Sequence, residues 1–156
     1  MRYVIHLVGI SIIGAAFYLL VNFVEKDIVL SEFVIPPPGI KLPQWLDSFK
    51  TWATLIVTAS VGASFLWYVI FQWGIKVNNR LSASGKRAVW YLFLLMPVIV
   101  IVLGFIFTQQ AQERGWIAYF FYILDGLFCY YVATALFSPL SFKYTPVWAV
   151  KLRRWW

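Results

Sequence analysis

Asp125 is the first residue to consider for chemistry, because its carboxyl lies near the middle of the apolar segment 116–137. An ionised carboxylate at the centre of a bilayer costs about 2.5 to 3.5 kcal/mol on insertion scales. No cation is available at this depth, since His6 lies near the start of the first apolar segment and every Lys and Arg lies at a segment end. We therefore expect Asp125 to be neutral and to donate a hydrogen bond.

The expected partners of Asp125 are polar groups at a comparable depth: Ser11, Thr58, Tyr122 and the backbone carbonyl of Phe93. Pro97 leaves that carbonyl free, because proline has no N–H to donate to it. Three roles for Asp125 stay open at this point. It is a structural acid that joins helices, a proton or ion site, or a contact between subunits.

The usual catalytic and metal-binding patterns are missing from the sequence. His6 is the only histidine and Cys129 the only cysteine, which excludes a common zinc site, an internal disulfide and a thiol redox pair. No serine has a base at a matching depth, and no glycine-rich phosphate loop is present. We expect no catalytic residue, no metal and no cofactor, so the chain is predicted not to be an enzyme.

The elements that position Asp125 are predicted to be four transmembrane α-helices. Hydrophobic residues make up 62% of the 156 residues and charged residues 12%, a composition typical of lipid-embedded chains. The apolar segments cover about residues 3–24, 51–75, 88–108 and 116–137, each long enough to cross about 30 Å of hydrocarbon. Residues 1–156 are interpreted as one all-α membrane domain, with 138–156 as a basic, aromatic cytoplasmic tail.

The distribution of Lys and Arg predicts the orientation, because short cytoplasmic loops retain positive charge. With both termini cytoplasmic, nine of the 13 Lys and Arg residues fall inside, and five of the six acidic residues, Glu25 among them, fall outside. The positive charges flank apolar segments and do not form a soluble basic face, so no direct binding of nucleic acid is expected. The predicted location is the inner membrane of a bacterium.

The first outer loop, residues 25–50, is predicted to contain its own structure. The first helix is expected to stop at the charged cluster 25–27, and residues 28–35 are expected to be extended before the turn at 36–39. After Pro43, four apolar residues recur at helical spacing: Trp45, Leu46, Phe49 and Trp52. This spacing indicates a short interfacial helix, which either lies on the outer leaflet or docks an external partner.

Small residues on the first two helices favour close helix packing. Gly14 and Ala15 lie on one face of the first helix, and Gly62 lies on a small-residue face of the second. Such faces allow two backbones to approach closely, either within one chain or between copies in a homo-oligomer.

Basic residues distant in sequence are brought to the cytoplasmic side by the predicted topology: Arg80, Lys86, Arg87, Lys151, Arg153 and Arg154. They either anchor the chain at anionic lipid headgroups or form a face that binds a cytoplasmic protein.

The sequence favours a non-enzymatic inner-membrane subunit that oligomerises and anchors or regulates a cytoplasmic partner. In length and helix count alone it is similar to immunity proteins against pore-forming bacteriocins, to membrane subunits of anti-phage defence complexes such as the Kiwa system, and to small subunits of secretion or conjugation machines. The alternative is a small channel or proton-coupled membrane protein that uses Asp125. A lipid-modifying membrane enzyme is the third hypothesis.

Overall fold

The computed structural model describes residues 2–70, 83–108 and 110–137, which form four long helices. The helical elements are α1 (Arg2–Leu19), π1 (Leu20–Leu30), α2 (Ser31–Phe33), α3 (Leu42–Val69), α4 (Ala83–Phe107), α5 (Trp116–Ile123), π2 (Leu124–Phe128) and α6 (Cys129–Phe137). The first long helix is the continuous run α1–π1–α2, and the fourth is α5–π2–α6. Each of the four is long and apolar enough to cross a membrane, which confirms this part of the prediction.

The first long helix does not end at the charged cluster 25–27, where the sequence suggested a stop. It continues to Phe33 because no proline or glycine interrupts it before Pro36. The three charged residues have different surroundings: Glu25 is buried, Asp27 is exposed, and Lys26 forms a salt bridge of 3.1 Å with Asp47. The expected extended run 28–35 is therefore helical over most of its length.

The connection between the first two long helices contains a tight turn. The amide of Ile40 donates to the carbonyl of Pro37 at 3.2 Å, with Pro38 and Gly39 between them. Gly39 has a φ of 86°, which is the left-handed value that this position of a type II turn requires.

The expected short interfacial helix is part of the second long helix in the structure. Helix α3 starts at Leu42, has Pro43 in its first turn, and runs without a break to Val69. Trp45, Leu46 and Phe49 are buried in the protein core and do not lie on an outer surface. The position of these residues differs from the prediction because the helix turns them towards the other three long helices.

The bundle has two ends, which we name by their connections. At the distal end, residues 34–41 join α2 to α3 and residues 108–115 join α4 to α5; at the terminal end, α1 begins and α6 ends. Backbone hydrogen bonds tie the two distal connections together, including one of 2.9 Å from the amide of Gln112 to the carbonyl of Ile35. Helix α3 packs against the other three long helices.

The predicted packing glycines have different surroundings. A Cβ at Gly14 would lie 2.5 Å from Cγ2 of Val61, so α1 approaches α3 closely at this point. A Cβ at Gly62 would have nothing within 4 Å, and Ala15 is exposed. Within this chain, close packing therefore uses Gly14, while neither Gly62 nor Ala15 contributes to it.

Candidate functional site

Glu25 and Asp125 form the candidate site. Glu25 lies in π1 of the first long helix and Asp125 in π2 of the fourth, and both side chains are 0% exposed. Their carboxyl groups lie within hydrogen-bonding reach of each other. Asp125 was a candidate from its position in the sequence, whereas Glu25 was expected in an outer loop, so the pairing is a finding of the tertiary structure.

The direction of side chains on helices explains why these two carboxyls meet. Side chains of an α-helix tilt towards its N-terminus, and the first and fourth long helices run in opposite directions. By the same tilt, Glu25 points towards the terminal end of the bundle and Asp125 points towards the distal end. Their carboxyl groups therefore converge between the two helices.

Both carboxyls lie in π-helical segments, which are rare in proteins and frequent at functional sites. A π turn closes its hydrogen bond over five residues where an α turn uses four, so one extra residue changes the direction of the side chains around it. The two segments have different lengths, Leu20–Leu30 and Leu124–Phe128. Each places a carboxylic acid inside the bundle.

The carboxyl oxygens of Glu25 and Asp125 have no N–H or O–H donor among the residues that the structure describes. Lys26, which follows Glu25 in the sequence, pairs with Asp47 at 3.1 Å, and its side chain is 23% exposed. Two ionised carboxylates at this distance repel, and burial penalises each charge. The contact is favourable only when at least one carboxyl holds a proton and donates it to the other, so the two acids titrate as a coupled pair.

The core of the distal half, in which the pair is buried, is apolar and aromatic. Val21, Ile56 and Ile101 belong to the core of the distal half, together with the ring of Tyr122. The ring of Tyr122 stacks on Phe49 with 5.1 Å between centroids. Water is thereby kept from the carboxyls, which strengthens the electrostatic interaction between them.

The hydroxyl of Tyr122 bonds to a different group from the one expected. It lies 2.6 Å from Oγ1 of Thr108 and donates to the carbonyl of Phe49 at 3.4 Å. Tyr122 is thus close to Asp125 in the sequence and fully buried, but it is not a hydrogen-bond partner of the carboxyl pair.

Two other predicted partners of Asp125 lie away from it. Ser11 and Thr58 are exposed, and each hydroxyl donates to the carbonyl four residues earlier in its own helix, at 3.1 Å and 2.8 Å. The expectation that they bond Asp125 is wrong, because the helix rotation turns both outwards and the local carbonyl satisfies each hydroxyl. Pro97 is buried inside α4.

Side chains of α3 and α4 pack against the backbone of π2. The hydroxyl of Ser60 lies 2.9 Å from the carbonyl of Gly126, the residue that follows Asp125. A Cβ at Gly126 would lie 2.4 Å from Cδ1 of Ile101 and 3.0 Å from Cγ2 of Ile56. A side chain at this position would require Ile101 to shift.

A second buried polar cluster, which we call the tryptophan network, lies nearer the terminal end. The indole N–H of Trp90 donates to the hydroxyl oxygen of Thr134 at 3.1 Å, and that hydroxyl donates to the carbonyl of Tyr130 at 2.8 Å. The phenol of Tyr130 donates to the carbonyl of Trp90 at 3.0 Å. Each donor in this network has an acceptor.

The predicted cytoplasmic basic face lies outside the described side chains. Arg80, Lys151, Arg153 and Arg154 belong to ranges that are not described, and the side chains of Lys86 and Arg87 in α4 are not described either. Over residues 2–70, 83–108 and 110–137, no group of three or more His, Cys, Asp and Glu residues is placed to hold a metal ion. Comparison with protein-family models, curated proteins and solved structures finds no match to this chain.

Proposed function

We propose that this protein spans a membrane with its four long helices and that the Glu25–Asp125 pair binds and releases a proton during its work. This makes it a proton-coupled membrane protein. The observation that carries the proposal is the contact between two fully buried carboxyls that no donor of the described residues satisfies. Of the three roles considered for Asp125, a proton site is the one that explains why a second acid, Glu25, lies beside it.

The outer surface of the bundle supports a position in lipid. Large apolar side chains of the first and third long helices are exposed, among them Ile12 at 63%, Ile99 at 58% and Ile106 at 67%. Exposed apolar area of this extent is stable in contact with acyl chains and costly in water. The orientation we propose has both termini in the cytoplasm of a bacterial cell, with the distal end outside.

The carboxyl pair then lies inside the hydrocarbon region. Asp125 follows Trp116 by nine residues, which corresponds to about 14 Å along the helix at 1.5 Å per residue. Since the hydrocarbon core is about 30 Å thick, this depth is close to the midplane. Acidic residues at this depth mark proton relays in many pumps and transporters.

A proton on this pair has a direct mechanical consequence. With one proton, the carboxyls attract through a hydrogen bond; without it, the two negative charges repel, and for charges about 4 Å apart this repulsion is about 4 kcal/mol at an effective dielectric constant of 20. Since each 1.4 kcal/mol changes an equilibrium tenfold, this repulsion favours arrangements in which the first and fourth long helices hold the two carboxyls farther apart. Proton release is thereby coupled to helix movement.

The test combines infrared spectroscopy with proton flux in vesicles. We expect the purified protein to show the C=O stretch of a protonated carboxyl, which weakens as the pH is raised. The double variant Glu25→Gln with Asp125→Asn should remove this signal, and each single variant should abolish the protein-dependent collapse of an imposed pH gradient. Asp47→Asn is the matched control, because that acid is exposed and should change neither measurement.

A wild-type protein without this infrared signal, or with one that is insensitive to pH while the protein stays folded, would contradict the proposal. Wild-type flux in the two amide variants would also contradict it. The other expectations from the sequence, a homo-oligomer and a cytoplasmic protein partner at the basic face, remain predictions.

A further inference from the structure

We propose that Ser60 is a positioning residue, which holds π2 in the conformation that directs Asp125 at Glu25. This inference rests on the proposed function of the carboxyl pair. It concerns a residue of α3, a helix that contributes neither carboxyl. Ser60 acts through the backbone of Gly126 and forms no hydrogen bond with the pair itself.

The hydroxyl of Ser60 joins two elements that are far apart in sequence. It lies 2.9 Å from the carbonyl of Ile56 on its own helix and 2.9 Å from the carbonyl of Gly126 in π2. A hydroxyl has one proton to donate, so these two carbonyls share it. Ser60 is 0% exposed, so water does not compete for this contact.

The hydroxyl of Ser60 is a second donor to the carbonyl of Gly126, whose backbone hydrogen bond is irregular. At the end of π2 it accepts from the amide of Cys129, three residues ahead, where a regular α-helix would use the amide four residues ahead. A donor from the side therefore stabilises the irregular segment. Without that donor, the regular α-helical pattern becomes more favourable for residues 124–128.

Rewinding π2 into an α-helix would change the direction of Asp125. A π turn contains one residue more than an α turn. When it becomes α-helical, the two flanking parts of the helix rotate by about 100° relative to each other. Asp125 and α6 cannot then both keep their present contacts, and the carboxyl would leave Glu25.

Two side chains of α3 contact π2 at Gly126. Ile56 and Ser60 lie four residues apart, hence on the same face of α3. Ile56 touches Gly126 from the side, since a Cβ there would lie 3.0 Å from its Cγ2, while Ser60 bonds the Gly126 carbonyl. Ile56 restricts the space beside Gly126, and Ser60 provides a directional hydrogen bond.

Ser64 provides a matched control on the same helix. It is also 0% exposed, and its hydroxyl donates to the carbonyl of Ser60 at 2.8 Å, within α3. Ser64→Ala therefore removes a buried hydroxyl without removing a bond between α3 and π2. Comparing it with Ser60→Ala separates the loss of a buried hydroxyl from the loss of the contact to Gly126.

The experiment measures the infrared C=O stretch of the protonated carboxyl in full-length protein in lipid vesicles. A carboxyl that loses its hydrogen bond absorbs at higher frequency, so Ser60→Ala should move the band upwards. Ser64→Ala should leave the band at its wild-type position, although both variants lower thermal stability. Ser60→Cys nearly keeps the volume but donates weakly, so it should move the band upwards by a smaller amount.

The outcomes distinguish this inference from the proposed function. If the wild type lacks a pH-sensitive protonated carboxyl, the proposed function fails and the inference fails with it. If the wild type has the band and Ser60→Ala leaves it in place, only the inference fails. If Ser60→Ala does not fold, Ser60→Cys decides, because an unchanged band in that variant overturns the inference.

Discussion

The tryptophan network in the terminal half and the carboxyl pair in the distal half are both buried polar clusters, but their donors and acceptors are matched differently. In the terminal half, Trp90, Tyr130 and Thr134 donate to one another or to one another's backbone carbonyls. In the distal half, the carboxyl oxygens of Glu25 and Asp125 face each other and can only accept hydrogen bonds, unless one of the two carboxyls holds a proton. Buried polar groups whose donors and acceptors match stabilise one structure, whereas two buried acceptors without a donor form a site that a proton can occupy.

The backbone conformation also differs between the two clusters. The tryptophan network lies on regular α-helices, α4 and α6, and the carboxyl pair lies on π1 and π2. Irregular helix is less favourable and persists only where the surroundings hold it. We interpret the terminal half as the rigid part of the bundle and the distal half as the part that responds to protonation.

The largest effect should come from removing the centre of the tryptophan network. Trp90 is 5% exposed, so Trp90→Ala leaves a cavity and should lower the free energy of unfolding by about 3 to 5 kcal/mol. Trp116→Ala is the control, because Trp116 is 67% exposed. Thermal and denaturant unfolding in detergent measure both. If Trp90→Ala is as stable as the control, the terminal half is not the rigid part.

Changes at Asp125 should have a smaller effect on stability and a specific effect on its pH dependence. Asp125→Leu leaves the Glu25 carboxyl without a partner and should cost about 1 to 3 kcal/mol, while Asp125→Asn keeps a donor and an acceptor and should cost less. Unfolding in detergent should show this order. Equal loss of stability in the two variants would mean that the hydrogen bond between the helices contributes little.

The pH dependence follows from counting protons. Exposed carboxyls of the unfolded chain lose their protons above about pH 4, whereas the folded pair keeps one. The unfolded state then binds fewer protons, so wild-type stability should fall as the pH rises, by at most about 1.4 kcal/mol per pH unit for one proton. The double variant Glu25→Gln with Asp125→Asn should lose this component of the slope, whereas Trp90→Ala should keep it.

The smallest perturbation tests which side of the membrane each half faces. Cysteine at Ser31, in the distal half, should react with a membrane-impermeant thiol reagent from outside the cell, and cysteine at Ser82 only from the cytoplasmic side. Neither change should affect stability by more than about 0.5 kcal/mol, since each replaces a small side chain with another of similar volume. The reverse labelling pattern would place the distal half, and access to its proton site, on the cytoplasmic side.

Much of the fold followed from composition and periodicity. The four apolar segments were located because a long apolar helix needs no tertiary partner to be recognised, and Asp125 was found because a carboxyl inside such a segment is costly. Helix ends were predicted less well. The first long helix passes the charged cluster at 25–27 and ends only at Phe33. Charged residues do not break a helix by themselves, so this boundary depended on the surroundings of each side chain.

By itself, the sequence determined that this chain has four membrane-length helices and one acid deep within the fourth. Tertiary structure alone decided that Glu25, one of three consecutive charged residues, turns inwards and becomes its partner. It also decided that Ser11 and Thr58, which lie at the right depth, turn away. Depth along a helix is a local property that residue counting gives, but rotation about the helix axis depends on packing against the other helices and on the π turns that shift it.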